Sequence, residues 1–197
     1  MSFIPVRMFE QQMAQFYNAP YAVAVDCCTH GLELALRYTN AESISVPEQT
    51  YLSIPMLASK LNIGLEWKTQ PWKDYYYITH NIVDAAVYWK KESYIPGTFF
   101  VLSFQFKKHL NLGRGGMILT DNEQAAIIQR SMAYDGRQNS EAPWDEHLIE
   151  RIGYHYYMTP ETAQTGLHKF NDALCKEPKQ WSYKDYPNIK KMLSNVL

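Results

Sequence analysis

Apolar positions fall at helical spacing from Val6 to Tyr17, where Phe9, Met13 and Phe16 lie three or four residues apart. The spacing predicts an opening helix that packs along one face. Tyr21 to Val25 is a short apolar run with two valines, and after Asp26-Cys27-Cys28-Thr29 a helical pattern resumes through Leu32, Leu34, Ala35 and Leu36. That is strand, tight turn, helix. Ile44 to Pro47 reads as a second strand end, Glu48-Gln49-Thr50-Tyr51 as its turn, and Ile54, Met56, Leu57 and Leu61 as the next helix. Further strands are predicted over Ile63 to Trp67, Asn81 to Asp84, Thr98 to Ser103 and Gly115 to Thr120, the Thr98 run being the most apolar. The stretch between Trp67 and Asn81 is polar, aromatic and Pro-containing, and fits neither period.

Two later helices carry start signals. Asp121 and Gln124 are spaced as a capping box for a helix through Ile127, Ile128 and Met132, with Gly136 as its stop. Thr159-Pro160 opens another, Pro at its first position, running through Leu167, Phe170 and Leu174. From Lys176 the chain is polar and Pro-containing before a last short helix around Ile189, Met192 and Leu193, expected to pack on the domain. The alternation of strands and helices predicts an α/β fold: a three-layer sandwich with a mostly parallel sheet, one domain over 1–175 and a tail or helix over 176–197.

The 197 residues are 46% hydrophobic and 20% charged, enough for one buried core, which excludes disorder as the main theme. The net charge of −1 comes from mixed signs along the chain, so there is no basic stripe for a phosphate backbone, and nucleic acid is not an expected partner. No apolar run approaches the roughly 20 residues that span a bilayer. Met1-Ser2-Phe3-Ile4-Pro5 has no charged-then-apolar region, so a soluble, untargeted protein is expected. Cys27 and Cys28 are adjacent and Cys175 is distant, which makes no disulfide framework and suits a reducing, cytoplasmic compartment. The six histidines lack metal-ligand spacing. Tyr75-Tyr76-Tyr77 and Tyr154-His155-Tyr156-Tyr157 are local concentrations within the 14% aromatic content and read first as core or interface filling.

In open α/β sheets the ligand crevice lies beyond the carboxyl ends of the strands. The residues there are Cys27-Cys28-Thr29, Thr50-Tyr51, Asp84 and Ser103 to Lys108. A hydroxyl turn before a helix N-terminus suits a phosphate. A strand-end carboxylate, an aromatic ring, a hydroxyl and a loop lysine complete what pyridoxal phosphate needs: a Schiff-base amine, a partner for the pyridine nitrogen and a stacking face. Singly, Asp84 reads as a turn residue, Ser103 as a strand-end hydroxyl and Lys108 as a solvated lysine. Their order at successive strand ends makes them a set.

These residues resemble the nucleotide-sugar aminotransferases of the DegT/StrS type, within the aspartate-aminotransferase-like fold group, over most of residues 6 to 174. Cys27-Cys28-Thr29 stands in the place of the family's Ser-Gly-Thr turn, Thr50-Tyr51 resembles its Thr-aromatic pair, Asp84-Ala85-Ala86 its Asp-Ala-Ala mark, and Ser103 to Lys108 its Ser-Phe mark with a lysine five residues on. The resemblance implies that Thr29, the backbone N–H of His30 and Ser103 hold the cofactor phosphate. It implies that Tyr51 stacks on the ring, that Asp84 faces the pyridine nitrogen, and that Lys108, rather than Lys107, is the catalytic lysine. His155 and Tyr157 take the places of the asparagine and arginine in the family's Asn-Tyr-Arg mark, so His155 is expected to reach the phosphate of a partner subunit. Cys28 stands where the family has glycine, and Val87 where a polar residue often follows Asp-Ala-Ala. With 13 residues between Trp67 and Asn81 and no counterpart of the small C-terminal domain after Cys175, the chain reads as a reduced large domain of the pyridoxal-phosphate transferase kind.

The implied activity is pyridoxal 5′-phosphate-dependent amino transfer from Glu or Gln to a nucleotide-linked keto sugar, in a homodimer. The alternative is a non-catalytic descendant that serves as a binding or structural partner. A dehydratase relative fits less well, because such relatives lack the lysine.

Overall fold

The computed structural model describes residues 2–137 and 143–196, so Met1, where the reading of the chain start begins, lies outside them. The elements run α1 (Ile4–Tyr17), β1 (Tyr21–Val25), α2 (Cys28–Tyr38), β2 (Ser43–Pro47), α3 (Ser53–Leu61), β3 (Gly64–Lys68), β4 (Tyr76–Tyr77), β5 (Ile82–Asp84), β6 (Phe99–Ser103), β7 (Gly116–Thr120), α4 (Glu123–Ala133), α5 (Pro160–Leu174) and α6 (Ile189–Met192). Strand residues alternate between two cores, as the pleat requires. Phe100, Leu102, Met117 and Leu119 point to one face, where α1 and α5 supply Phe9, Met13 and Phe170. Phe99, Val101 and Ile118 point to the other, where α2, α3 and α4 supply Leu32, Leu57 and Met132. Three layers result.

The sheet differs from the mostly parallel one predicted. Its order is β1-β7-β6-β5-β4, and only β5 with β6 is parallel, while β1 with β7, β7 with β6 and β4 with β5 are antiparallel. β2 and β3 form a separate parallel pair. Alternation of apolar residues encodes which face a strand buries and says nothing of the neighbour it pairs with. Because β7 runs against both neighbours, β1 and β6 still point the same way, as does β5. Their carboxyl ends, Val25, Ser103 and Asp84, therefore lie along one edge with the amino end of β7 at Gly116.

Helix starts follow local chemistry. Thr159 accepts from the Thr162 N–H ahead of Pro160, as predicted. The α4 cap is Asn122, whose side chain accepts from the Ala125 N–H. Asp121 instead accepts from the Gly97 N–H at 2.7 Å, so the Asp121–Gln124 capping box does not form. The last helix, α6, packs back through Ile189, whose N–H donates to the Glu48 carbonyl at 2.8 Å.

Candidate active site

A cleft of about 410 Å³ opens along the shared strand edge, within the range of small-molecule sites. It brings together Thr29, Tyr51, Asp84, Ser103 and Lys108, five of the residues singled out in the sequence. Asp84 and Ser103 end β5 and β6, Tyr51 and Lys108 lie just beyond β2 and β6, and Thr29 is in the first turn of α2.

One end of the cleft is rich in hydroxyls and N–H groups. Cys27, extended at φ −163° and ψ 160°, caps α2, and the Gly31 N–H to Cys27 carbonyl bond at 3.1 Å begins the helical ladder. The N–H groups of its first turn have no partner within the helix. Thr29 Oγ1 lies 2.7 Å from Ser53 Oγ, which joins the starts of α2 and α3. Ser103 lines the same cleft. Cys28 also lines the cleft, with its Sγ turned inward to the Val101 carbonyl, 3.8 Å away. A Cβ on Gly116 would sit 2.5 Å from both Cys27 C and Cys28 N, so glycine is what lets β7 support the cup from beneath.

At the other end Asp84 is buried. Its Oδ1 accepts from the Ala86 N–H at 3.0 Å, and its Oδ2 accepts from the Tyr76 hydroxyl, which also contacts Thr50 Oγ1. Burial raises the Asp84 pKa against the pull of Tyr76, Ala86 and the Lys108 charge. Burial lowers that of Lys108, with Asp84 and Cys28 pulling the other way. The amine is thereby held closer to its neutral, nucleophilic form. Burial and the Asp84 charge keep the Cys28 thiol protonated.

His30 and His155 do not line the cleft. The His30 ring stacks on Tyr156 at 3.6 Å and its Nδ1 contacts Asp26 Oδ1 at 2.6 Å. The backbone N–H of His30 stays in the first turn of α2. His155, at φ 56°, has its Nδ1 3.0 Å from Asp135 Oδ1 and most of its side chain exposed. Any contact between His155 and a phosphate would have to be made in a second copy of the chain.

Sequence reasoning missed Trp72, Tyr76 and Tyr186, all lining the cleft. Tyr76 had a findable signal, since a hairpin through Thr79 to Asn81 sets it opposite Asp84 in register. Trp72 and Tyr186 had none, because their meeting depends on segments more than a hundred residues apart.

The donor set fits a phosphorylated heteroaromatic aldehyde: an anion cup, a buried carboxylate, and a half-buried amine on the loop that follows Ser103. The fold carrying this set is shared with solved structures, one of them a putative sugar aminotransferase. AtS13 from Actinomadura melliaura superposes with a TM-score of 0.73 at 20% identity, over 87% of this chain and 61% of that one. The PMP form of the putative sugar aminotransferase Spr1654 from Streptococcus pneumoniae superposes with a TM-score of 0.72 at 15% identity, over 87% and 59%.

The chain belongs to the DegT/DnrJ/EryC1/StrS aminotransferase family, which matches residues 4–66 and 82–176. It is 27% identical to the spore coat polysaccharide biosynthesis protein SpsC of Bacillus subtilis over 83% of its length. It is 25% identical to an uncharacterized protein of Methanocaldococcus jannaschii over 84%. It spans 56% of the length of each of these curated relatives. No helix among the described residues is long and apolar enough to cross a membrane.

Proposed function

We propose that the protein is a pyridoxal 5′-phosphate-dependent aminotransferase that moves an amino group from glutamate or glutamine to a nucleotide-linked keto sugar. One observation carries the reading: Thr29, Tyr51, Asp84, Ser103 and Lys108, dispersed over 80 positions of sequence, converge on one cleft. The cofactor, when bound, supplies an electron sink for the carbanion formed at the amino-bearing carbon. Thr29 and Ser103 hydroxyls and the first-turn N–H of His30 hold the phosphate, aided by Ser53. The Tyr51 ring covers one face of the cofactor. Asp84 keeps a proton at the ring nitrogen, and Lys108 is the covalent anchor and afterwards the base and acid that moves the substrate proton.

His155 and the neighbouring tyrosines complete a second subunit's phosphate site in a homodimer, a reading supported by the exposed His155 side chain and by the reciprocity of a two-fold interface. The three cysteines are free, which suits a cytoplasmic, reducing setting. A non-catalytic descendant is the second reading, favoured by the Tyr76 phenol already engaging Asp84.

The deciding experiment is a visible spectrum of the purified protein with pyridoxal phosphate, before and after borohydride. A reducible absorbance supports the cofactor site, and its absence sinks it. Amino transfer to a nucleotide keto sugar by the same sample then separates the enzyme from the non-catalytic reading, and light scattering at micromolar concentration tests the dimer.

A further inference from the structure

Apart from residues 1–3, two segments lie outside the family match, 67–81 and 177–197. In the fold they pack on each other. The Asp74 N–H donates to the Trp181 carbonyl at 2.9 Å and the Tyr183 N–H to the Trp72 carbonyl at 3.1 Å, and the Trp72 and Tyr186 rings meet at 5.5 Å. A compact turn fixes this arrangement: Ser182 and Asp185 form a capping box, and Lys179 pairs with Asp185 at 2.7 Å. Beyond the turn, Asn188 and Lys190 both donate to the Glu48 carboxylate, at 3.0 and 2.8 Å, and Trp72 Nε1 donates to the Gln49 carbonyl at 2.7 Å. Trp181 lies 5.6 Å beneath the Lys108 amine.

The result is a wall of the cleft built from Trp72, Tyr76 and Tyr186. Tyr76 and Trp72 have spent their polar hydrogens on Asp84 and Gln49. Tyr186 has not: it is half-buried, it lines the cleft close enough to feel the charge of Asp84 and Cys28, and among the described residues no hydrogen bond takes up its hydroxyl. Burial first, and Asp84 next, raise its pKa, so it stays a neutral donor. A phenol that lines the cleft with its donor uncommitted can turn that donor to a ligand bound there.

We propose that Tyr186 is a ligand-contacting residue of this site, its hydroxyl donating to an acceptor atom of the bound phosphopyridine and its ring, with Trp72, forming the wall beside it. The proposal rests on the reading of the cleft as a pyridoxal-phosphate site. It gives the segment outside the family match a direct part in holding the cofactor.

The test is titration of the intact chain with pyridoxal 5′-phosphate, followed by quenching of tryptophan fluorescence, for which Trp72 and Trp181 stand beside the cleft. Tyr186→Phe keeps the ring and its packing and should raise the Kd about fivefold to tenfold, the worth of one neutral hydrogen bond. Tyr186→Leu, which also removes the wall, should raise it further. Tyr183→Phe, in the same turn but off the cleft, should bind as the parent does. Equal Kd values for the parent and Tyr186→Phe overturn the proposal, as does an equal loss in Tyr183→Phe. A parent chain that takes up no cofactor overturns the reading of the site itself, which is a separate outcome.

Discussion

The Tyr76 hydroxyl donates to Asp84 Oδ2 across a register in which the two residues are direct partners on β4 and β5. The carboxylate expected to face the cofactor is thus oriented from within the sheet before any ligand arrives. Because each carboxylate oxygen accepts more than one hydrogen bond, the contact leaves acceptor capacity toward the cleft.

Asp84 sets the first expectation. With its pKa raised by burial, the folded state retains a proton that the unfolded chain has already released. Stability therefore falls as pH rises from the ordinary carboxylate range through the raised value, and is level above it. Asp84→Asn should remove that slope and leave the Tm at pH 7 equal to or above the parent's, while lowering amino transfer about a hundredfold or more. Thermal melts from pH 4 to 8 beside turnover measurements check both; a variant that transaminates like the parent contradicts the placement.

Lys108 sets the second. Peptide mapping after borohydride reduction should find pyridoxal on Lys108 and none on Lys107, and Lys108→Met should abolish the adduct without unfolding the chain. Since only the neutral amine attacks the aldehyde, adduct formation should accelerate as pH rises through the lowered Lys108 pKa. Labelling of Lys107 would reject the assignment.

His30 belongs to the support of the cup. Burial works against its charge, yet the hydrogen bonds to Asp26 and Cys27 raise its pKa to about 9. The stability this contributes is complete below the ordinary histidine value near 6.5 and is lost as pH rises through about 9. Melts of His30→Gln between pH 6 and 10 should lack this fall, and a variant that keeps the parent's profile would show that the pair is not formed.

Gly116→Ala forces a methyl into the Cys27–Cys28 peptide. Overpacking there should cost about 2 kcal/mol, lowering the Tm by roughly 4–8 °C. Because the displaced atoms begin α2, stabilisation by added pyridoxal phosphate should shrink as well. Thermal shift with and without cofactor measures both; an unchanged ligand response would mean that the cup lies elsewhere.

Much of this was legible locally. The β1, α2 and β6 patterns give their elements to within a residue or two, because each buries a face whose period shows in sequence. Asp84, Ser103 and Lys108 follow such strands directly, so locating the strands located the residues. Pairing directions were not legible, since β7 enters between β1 and β6 without any mark on its apolar run. Nor was the Trp72, Tyr76 and Tyr186 wall: β4 is two residues long, too short for a period, and the 181–189 segment, although its Ser182–Asp185 turn is local, is placed on the cleft by contacts with Glu48 and Trp72 far away in sequence. The capping residue of α4 went to Asn122 because Asp121 found a nearer donor in Gly97.

The wall also has a place in time. Residues 181–189 are translated after every strand of the sheet and after Gly116, the last piece of the cup. At roughly 5–20 residues per second, synthesis runs on for some seconds between Gly116 and Tyr186. The Tyr186 side is thus the last part of the cleft to be delivered, and the cleft is complete only when this segment has packed back onto Glu48 and Trp72.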